Sequence, residues 1–193
     1  MISELMLKGT LVINPFRVAV LTVSDRCSRG DTADTSGPAL ATAARERLGA
    51  DVAAVACVPD CMDSISAQLR AWVGTQPAPD LILTTGGTGL APRDLTPEAT
   101  LRVLDRHAPG LMELIRLRCS HRTPRVFLSR GLAGTAGRTL IINLPGSKRG
   151  ALDCFEALMD LLPHALESMQ GEIQDDGRPD AVPLHGKVVV HHD

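Results

Sequence analysis

Four polar clusters in this 193-residue chain carry residue types that do chemistry: Ser24-Asp25-Arg26, Pro59-Asp60, Thr84 to Asp94, and Asn143 to Ser147. The third is the densest. It reads Thr-Thr-Gly-Gly-Thr-Gly-Leu-Ala-Pro-Arg-Asp, with Gly86, Gly87 and Gly89 set among Thr84, Thr85 and Thr88. Glycine permits positive φ and lets a ligand approach the backbone without a Cβ in the way. A strand, a Gly-rich loop and a helix start in that order bring backbone N–H groups close to an anion. The three threonines offer hydroxyls as well. Arg93 can meet a phosphate and Asp94 a metal ion, so the chemistry implied is phosphate binding assisted by a cation.

Two familiar phosphate loops are excluded. No Lys-Ser/Thr pair follows the glycines, so this is not a P-loop. Pro92 stands where the third glycine of a dinucleotide fingerprint belongs. Gly131, Gly134 and Gly137 recur at intervals of three but follow no clear strand, and they read as loop flexibility.

Asp25, Asp60 and Asp94 each have a plain alternative: a partner for Arg26, a turn residue after Pro59, and a surface acid near a helix start. Together they make a carboxylate set suited to Mg²⁺, which is held by one or two carboxylates plus phosphate oxygens. A helix terminus contributes about 1 kcal/mol, too little to hold a triphosphate unaided. Arg93, Lys148 and Arg149 are the nearby cationic side chains. The six histidines form no recognisable triad with a Ser or Cys, and no protein nucleophile is evident. Phosphoryl-type transfer needs none, because the enzyme positions phosphates and stabilises charge.

The elements that must position these clusters alternate. Arg17 to Val23 is an apolar run fit for a first strand, followed by a long polar loop. Ser36 is expected to cap a helix whose first turn holds Gly37 and Pro38 and which continues to Leu48. Val52 to Val58 reads as a second strand, and Ile65, Leu69 and Trp72 give the next helix one apolar face. Leu81 to Leu83 is the third strand. Thr96 to Leu104 and Gly110 to Cys119 read as helices, and Pro124 interrupts the segment after them. Leu132 to Ala136 and Arg138 to Asn143 flank Gly137 as a hairpin or as paired strands. One last helix carries Leu152, Phe155, Leu158 and Leu162, with a kink or restart at Pro163. This alternation predicts an α/β fold of three layers, a mostly parallel sheet with helices on both faces. The four polar clusters each follow a strand, and in such a sheet the carboxyl ends of the strands share one ligand-binding edge.

Composition narrows the partners. Charged residues make up 22% and hydrophobic residues 44%, ordinary values for a globular protein. Aromatic residues are only 2%, which argues against single strands of nucleic acid stacked on rings. A net charge of −2 provides no broad basic surface for nucleic acid or anionic lipid. No apolar run approaches the ~20 residues that span a bilayer. The five cysteines are an odd number and read as reduced thiols, and no export signal is evident, so a cytoplasmic location is expected. Cys57 and Cys61 lack a second ligand pair for zinc and read as small apolar residues. The expected division is an extension over 1–15, one binding and catalytic domain over 16–170, and a polar tail over 171–193.

The segments Leu21 to Arg26, Thr84 to Gly89, Arg93-Asp94-Leu95-Thr96-Pro97-Glu98 and Asn143 to Ser147 resemble the molybdopterin adenylyltransferase family, which includes Mog- and MoaB-type proteins and gephyrin-like G domains. The resemblance runs in order from about Arg17 to about Gln170. It implies the family's molybdopterin-binding α/β fold, a homotrimer, and transfer of AMP from ATP to molybdopterin with Mg²⁺ and release of pyrophosphate. By the same resemblance Asp94 and Asp60 are catalytic and hold the metal. Substrate and nucleotide binding falls on Ser24, Asp25, Ser36, Gly37, Thr85, Gly86, Gly87, Thr88, Gly89, Arg93, Leu144, Pro145, Gly146 and Ser147. The molybdenum-insertion protein of the same pathway is an implied partner. One departure stands out: Lys148 replaces the second proline common after the Leu-Pro-Gly-Ser turn. A non-catalytic molybdopterin carrier is the competing reading, and a nucleotide pyrophosphatase on the same fold a third.

Overall fold

Strand β1, Arg17–Val23, is buried along almost its whole length, which an alternating apolar and polar strand would not allow. Its continuous apolar run is what a strand covered on both faces requires. The computed structural model describes residues 15–171. The expected extension and tail therefore lie outside the described residues, apart from residues 15 and 171.

The chain runs β1, α1 (Asp25–Ser28), α2 (Ser36–Leu48), β2 (Asp51–Val58), α3 (Met62–Val73), β3 (Leu81–Thr85), α4 (Thr96–Leu101), β4 (Arg106–His107) and α5 (Pro109–Cys119). A 3₁₀ turn over Pro124–Leu128 follows, then β5 (Ala133–Ala136), β6 (Thr139–Leu144), α6 (Lys148–Glu156) and α7 (Leu162–Gln170). The six strands form one sheet in the order β2-β1-β3-β6-β5-β4. The first four are parallel, with Val18 beside Leu81 and Leu81 beside Leu140, while at one side β5 pairs antiparallel with β6 and β4 antiparallel with β5.

Alternation along each strand divides the core. Val18, Val20, Leu81, Leu83, Leu140 and Ile142 face α2, α5, α6 and α7. Ala19, Leu21, Ile82 and Ile141 face α3 and α4. The expected three-layer architecture is the one observed. Each fully buried Leu or Ile contributes about 1.5–3 kcal/mol by leaving water. Among the described residues no helix is long and apolar enough to cross a membrane.

Several local expectations are corrected. The polar loop after β1 contains the short helix α1, because the Ser24 side chain accepts from the Cys27 amide and caps it. Ser36 is not the cap of α2. Asp34 Oδ1 accepts from the amides of both Ser36 and Gly37 at 3.0 Å and does that work. Strand β3 extends through Thr84 and Thr85. Helix α4 stops at Leu101, so the chain can turn into β4. The restart expected at Pro163 is observed: α6 ends at Glu156 and α7 begins at Leu162, with Pro163, which lacks an N–H, in its first turn.

Gly131 and Gly134 are not flexible spacers. A Cβ at Gly131 would stand 2.8 Å from Asn143 O, and one at Gly134 2.3 Å from Arg106 O, so both permit close backbone approach. All five cysteines are free thiols, Cys61 exposed and Cys119 and Cys154 buried.

Candidate functional site

The parallel strands β2, β1, β3 and β6 end at one edge, and the four polar clusters emerge there. At the centre, Gly86 and Gly87 take φ of 105° and 60°. A Cβ on Gly86 would lie 2.2 Å from Val23 O, and one on Gly146 would lie 3.1 Å from Gly86 Cα. Gly86 therefore lets the ends of β1 and β6 close around the loop.

The threonines do not present their hydroxyls to a ligand as expected. Thr85 Oγ1 donates to Pro145 O at 2.7 Å, and Thr84 Oγ1 accepts from Asn143 Nδ2 at 2.9 Å. Thr88 Oγ1 lies 3.3 Å from Ser129 Oγ. All three side chains are buried. Thr96 Oγ1 donates to Gly86 O, fixing the loop from the helix side. These hydroxyls build the loop, and the amides of Gly87, Thr88 and Gly89 have no intramolecular acceptor among the described residues. The result is a ridge of backbone donors.

Two pockets meet at that ridge and share Gly87, Asp94 and Gly146. The first, about 480 Å³, is lined by Ser24, Asp25, Ser36, Asp60, Thr85, Gly86 and Arg93, together with Arg26, Arg29 and Asp34. The second, about 680 Å³, is lined by Thr88, Gly89, Pro145 and Ser147, with Arg122, Arg125 and Arg149 and the apolar Val126 and Leu128. Fourteen of the sixteen anticipated residues thus border one pocket or both. Gly37 and Leu144 do not. Gly37 is packed against Thr22 and Asp34, where a Cβ would come within 2.5 Å of both, and Leu144 is a fully buried strand residue.

Asp60 and Asp94 flank the ridge. A Cβ on Gly87 would be 3.3 Å from Asp60 Oδ1, and one on Gly89 would be 2.8 Å from Asp94 Oδ2. Each carboxylate spends one oxygen on the fold: Asp60 Oδ2 accepts from the Asp25 amide at 2.8 Å, and Asp94 Oδ2 from the Ala91 amide at 2.9 Å. The second oxygen of each has no intramolecular donor among the described residues. Asp25 is not a partner for Arg26, since its Oδ1 accepts from the Asp60 amide at 3.1 Å. Burial, then the neighbouring Cys27, Asp34 and Asp60, pushes the Cys57 thiol up to about 11.

Hard carboxylate oxygens fit Mg²⁺. No group of three His, Cys, Asp or Glu side chains among the described residues could hold a metal by itself. The oxygens of Asp60 and Asp94 without a donor are of the kind that suits an ion arriving with phosphate oxygens and water.

Sequence reasoning did not find Asp34, Arg122, Arg125 or Arg130. Asp34 carries a local signal, an acid just before a Ser-Gly-Pro helix start. The arginines have none, because they reach the site from the turn after α5, the 3₁₀ turn and the segment beyond it. Lys148 lines a separate groove beside Arg47 and Glu156, while Arg149 faces the second pocket.

Comparison with known proteins agrees with this architecture. Residues 19–164 match the family model described as a probable molybdopterin binding domain, and the chain belongs to that family. It is 44% identical over 154 residues to the molybdenum cofactor synthesis protein cinnamon of Drosophila melanogaster, covering 80% of this chain but only 26% of that protein. It is 37% identical over 155 residues to the molybdopterin adenylyltransferase of Helicobacter pylori J99, covering 80% of this chain and 88% of that one. The crystal structure of the molybdopterin biosynthesis enzyme MoaB of Thermus thermophilus superposes with a TM-score of 0.76 at 51% identity, over 81% of this chain and 97% of that one. The chain is a molybdopterin-binding protein of molybdenum cofactor biosynthesis.

Proposed function

We propose that this protein is a molybdopterin adenylyltransferase. One observation carries the reading: Asp60 and Asp94 flank a ridge of amide donors that separates two pockets. A binding protein for a single anion gains nothing from two acids beside its donors, whereas a transfer enzyme needs two reactants held on either side of one reacting phosphate. The pocket containing Asp25, Asp60, Arg26 and Arg93 suits a nucleotide triphosphate. The pocket containing Arg122, Arg125 and Arg149, with Val126 and Leu128, suits a phosphorylated pterin.

In the reaction, a terminal phosphate oxygen of molybdopterin attacks the α-phosphorus of ATP. The bond from that phosphorus to the bridging oxygen breaks, and pyrophosphate leaves with the electron pair. Gly87, Thr88 and Gly89 donate to the phosphate oxygens, and donors preorganised in this way act where charge develops. Asp60 and Asp94 would hold Mg²⁺, whose contribution when bound would be to neutralise that charge. By family resemblance, 16–170 is the catalytic unit and a cytoplasmic homotrimer its working form, with the molybdenum-insertion protein as recipient of the product.

Incubation with ATP, Mg²⁺ and molybdopterin tests the reading. Wild type is expected to release pyrophosphate only when the pterin is present. Asp94→Ala should retain ligand binding and lose ~10²–10³ in turnover. The similarity to the Thermus MoaB protein favours a second reading, a molybdopterin carrier of the MoaB type. Molybdopterin binding with no pyrophosphate above background would select it. Pyrophosphate release without pterin would instead identify a nucleotide pyrophosphatase.

A further inference from the structure

Arg130 is the most heavily engaged side chain near the ridge, yet it lines neither pocket. Its amide donates to Thr88 O and its Nε to Gly89 O, both at 2.8 Å. Its Nη2 donates to Asp94 O at 2.6 Å. The remaining edge of the guanidinium pairs with Glu98 on α4. One planar side chain therefore bonds both ends of the 89–94 segment and ties them to the helix that follows. The Asp94 carboxylate is folded back onto this segment through the Ala91 amide, so its place depends on where Gly89 and Asp94 are held.

We infer that Arg130 is a positioning residue: it fixes the Asp94 carboxylate and the Gly87 to Gly89 amides in one mutual geometry without touching substrate. The inference rests on the adenylyl-transfer reading for its kinetic consequence. A guanidinium presents a rigid fork of donors, whereas an ammonium is a single point of charge. Lysine at this position keeps a charge for Glu98 but cannot bridge Gly89 O, Asp94 O and the carboxylate together. Misplacing a catalytic group by about 1 Å can cost ~10²-fold in rate.

Two measurements on the 193-residue chain test the inference. In pyrophosphate release, Arg130→Met is expected to lose ~10²-fold in kcat with KM for ATP and molybdopterin within about threefold of wild type. Arg130→Lys, which keeps the Glu98 pair and so protects folding, should lose about tenfold. Added guanidinium at non-denaturing concentration should restore part of the activity of Arg130→Ala, and tetramethylammonium none. Amide hydrogen exchange without substrates is the second measurement. The hydrogen-bonded amides of this segment, Ala91 and Asp94, should exchange at least about tenfold faster in Arg130→Lys, while β1 and β6 keep wild-type protection. Unchanged loop exchange, unchanged kcat, or a loss confined to KM would overturn the inference. An inactive wild type would remove the proposed function instead, and the exchange result would then decide the role of Arg130 by itself.

Discussion

Asp25 and Asp60 hold each other through their backbones: the Asp25 amide donates to Asp60 Oδ2 at 2.8 Å, and the Asp60 amide to Asp25 Oδ1 at 3.1 Å. The exchange fastens the loop after β1 to the turn after β2. It also turns one oxygen of Asp60 inward and leaves the other beside Gly87. Two substitutions separate these tasks. Asp60→Asn keeps an oxygen for the Asp25 amide, so urea denaturation should place its stability within about 1 kcal/mol of wild type. Its turnover should nonetheless fall ~10²-fold, because the charge is gone. Asp60→Ala loses both and should be less stable by a further ~1–3 kcal/mol. Full activity in the Asn variant would remove Asp60 from the mechanism.

The glycines of the ridge should respond differently to a methyl group. Gly86→Ala places a Cβ 2.2 Å from Val23 O at a φ of 105°, and the Val23 backbone cannot yield. The expected cost is about 3 kcal/mol or more, read as a lower denaturation midpoint. Gly89→Ala meets only the tip of Asp94 at 2.8 Å. Its stability should change by less than ~1 kcal/mol while kcat drops ~10²-fold as the carboxylate is displaced. A fully active Gly89→Ala protein would sink the role given to Asp94.

Asn143 is fully buried and satisfies three partners at once: the Leu132 amide and the hydroxyls of Thr84 and Thr100. Asn143→Leu would leave these groups without their partner in a site closed to water. Equilibrium unfolding should show a loss of ~2–4 kcal/mol. A neutral result would mean the surrounding groups re-pair among themselves.

Glu98 provides an acid-side prediction. Its hydrogen bond to Arg130 holds its carboxyl below the usual carboxylate range. A depressed folded value means the pair's contribution is complete above the unfolded pKa of about 4.3 and disappears as pH falls through the folded value. Both side chains are more than one-third exposed, so solvent screening keeps the contribution below about 1 kcal/mol. The stability gap between wild type and Glu98→Gln should therefore be present at neutral pH and close in strong acid. A gap that widened on acidification would contradict the pairing.

Thiol labelling should rank the cysteines. Cys61 is exposed at the start of α3, and the neighbouring Ser64 amide and hydroxyl lower its thiol pKa. Burial pushes Cys154 up to about 12. A maleimide at neutral pH should modify Cys61 first and Cys154 last, as peptide mass mapping would read.

Much of this architecture was legible because its signals are local. β1, β2 and α2 announce themselves as apolar runs and a capped alanine-rich stretch, and the polar clusters follow strands directly. The sheet edge then gathers them by topology alone. What stayed hidden depends on partners distant in the chain. The hydroxyls of Thr84 and Thr85 look available in a Gly-rich motif until β6 brings Asn143 and Pro145 against them. Arg130 sits in a segment without periodicity, and nothing nearby in sequence hints that it spans residues 88–94. Gly131 and Gly134 seem loose for the same reason, since the backbones they accommodate lie in other strands.

The ridge of Gly87, Thr88 and Gly89 has one property that side-chain anion sites lack: its donors carry no titratable proton. A lysine or histidine in that place would surrender its donor form as pH rose, and a peptide N–H does not. The pH dependence of any reaction at this edge must then come from groups other than these donors. The cradle is a constant, and its neighbours are the variables.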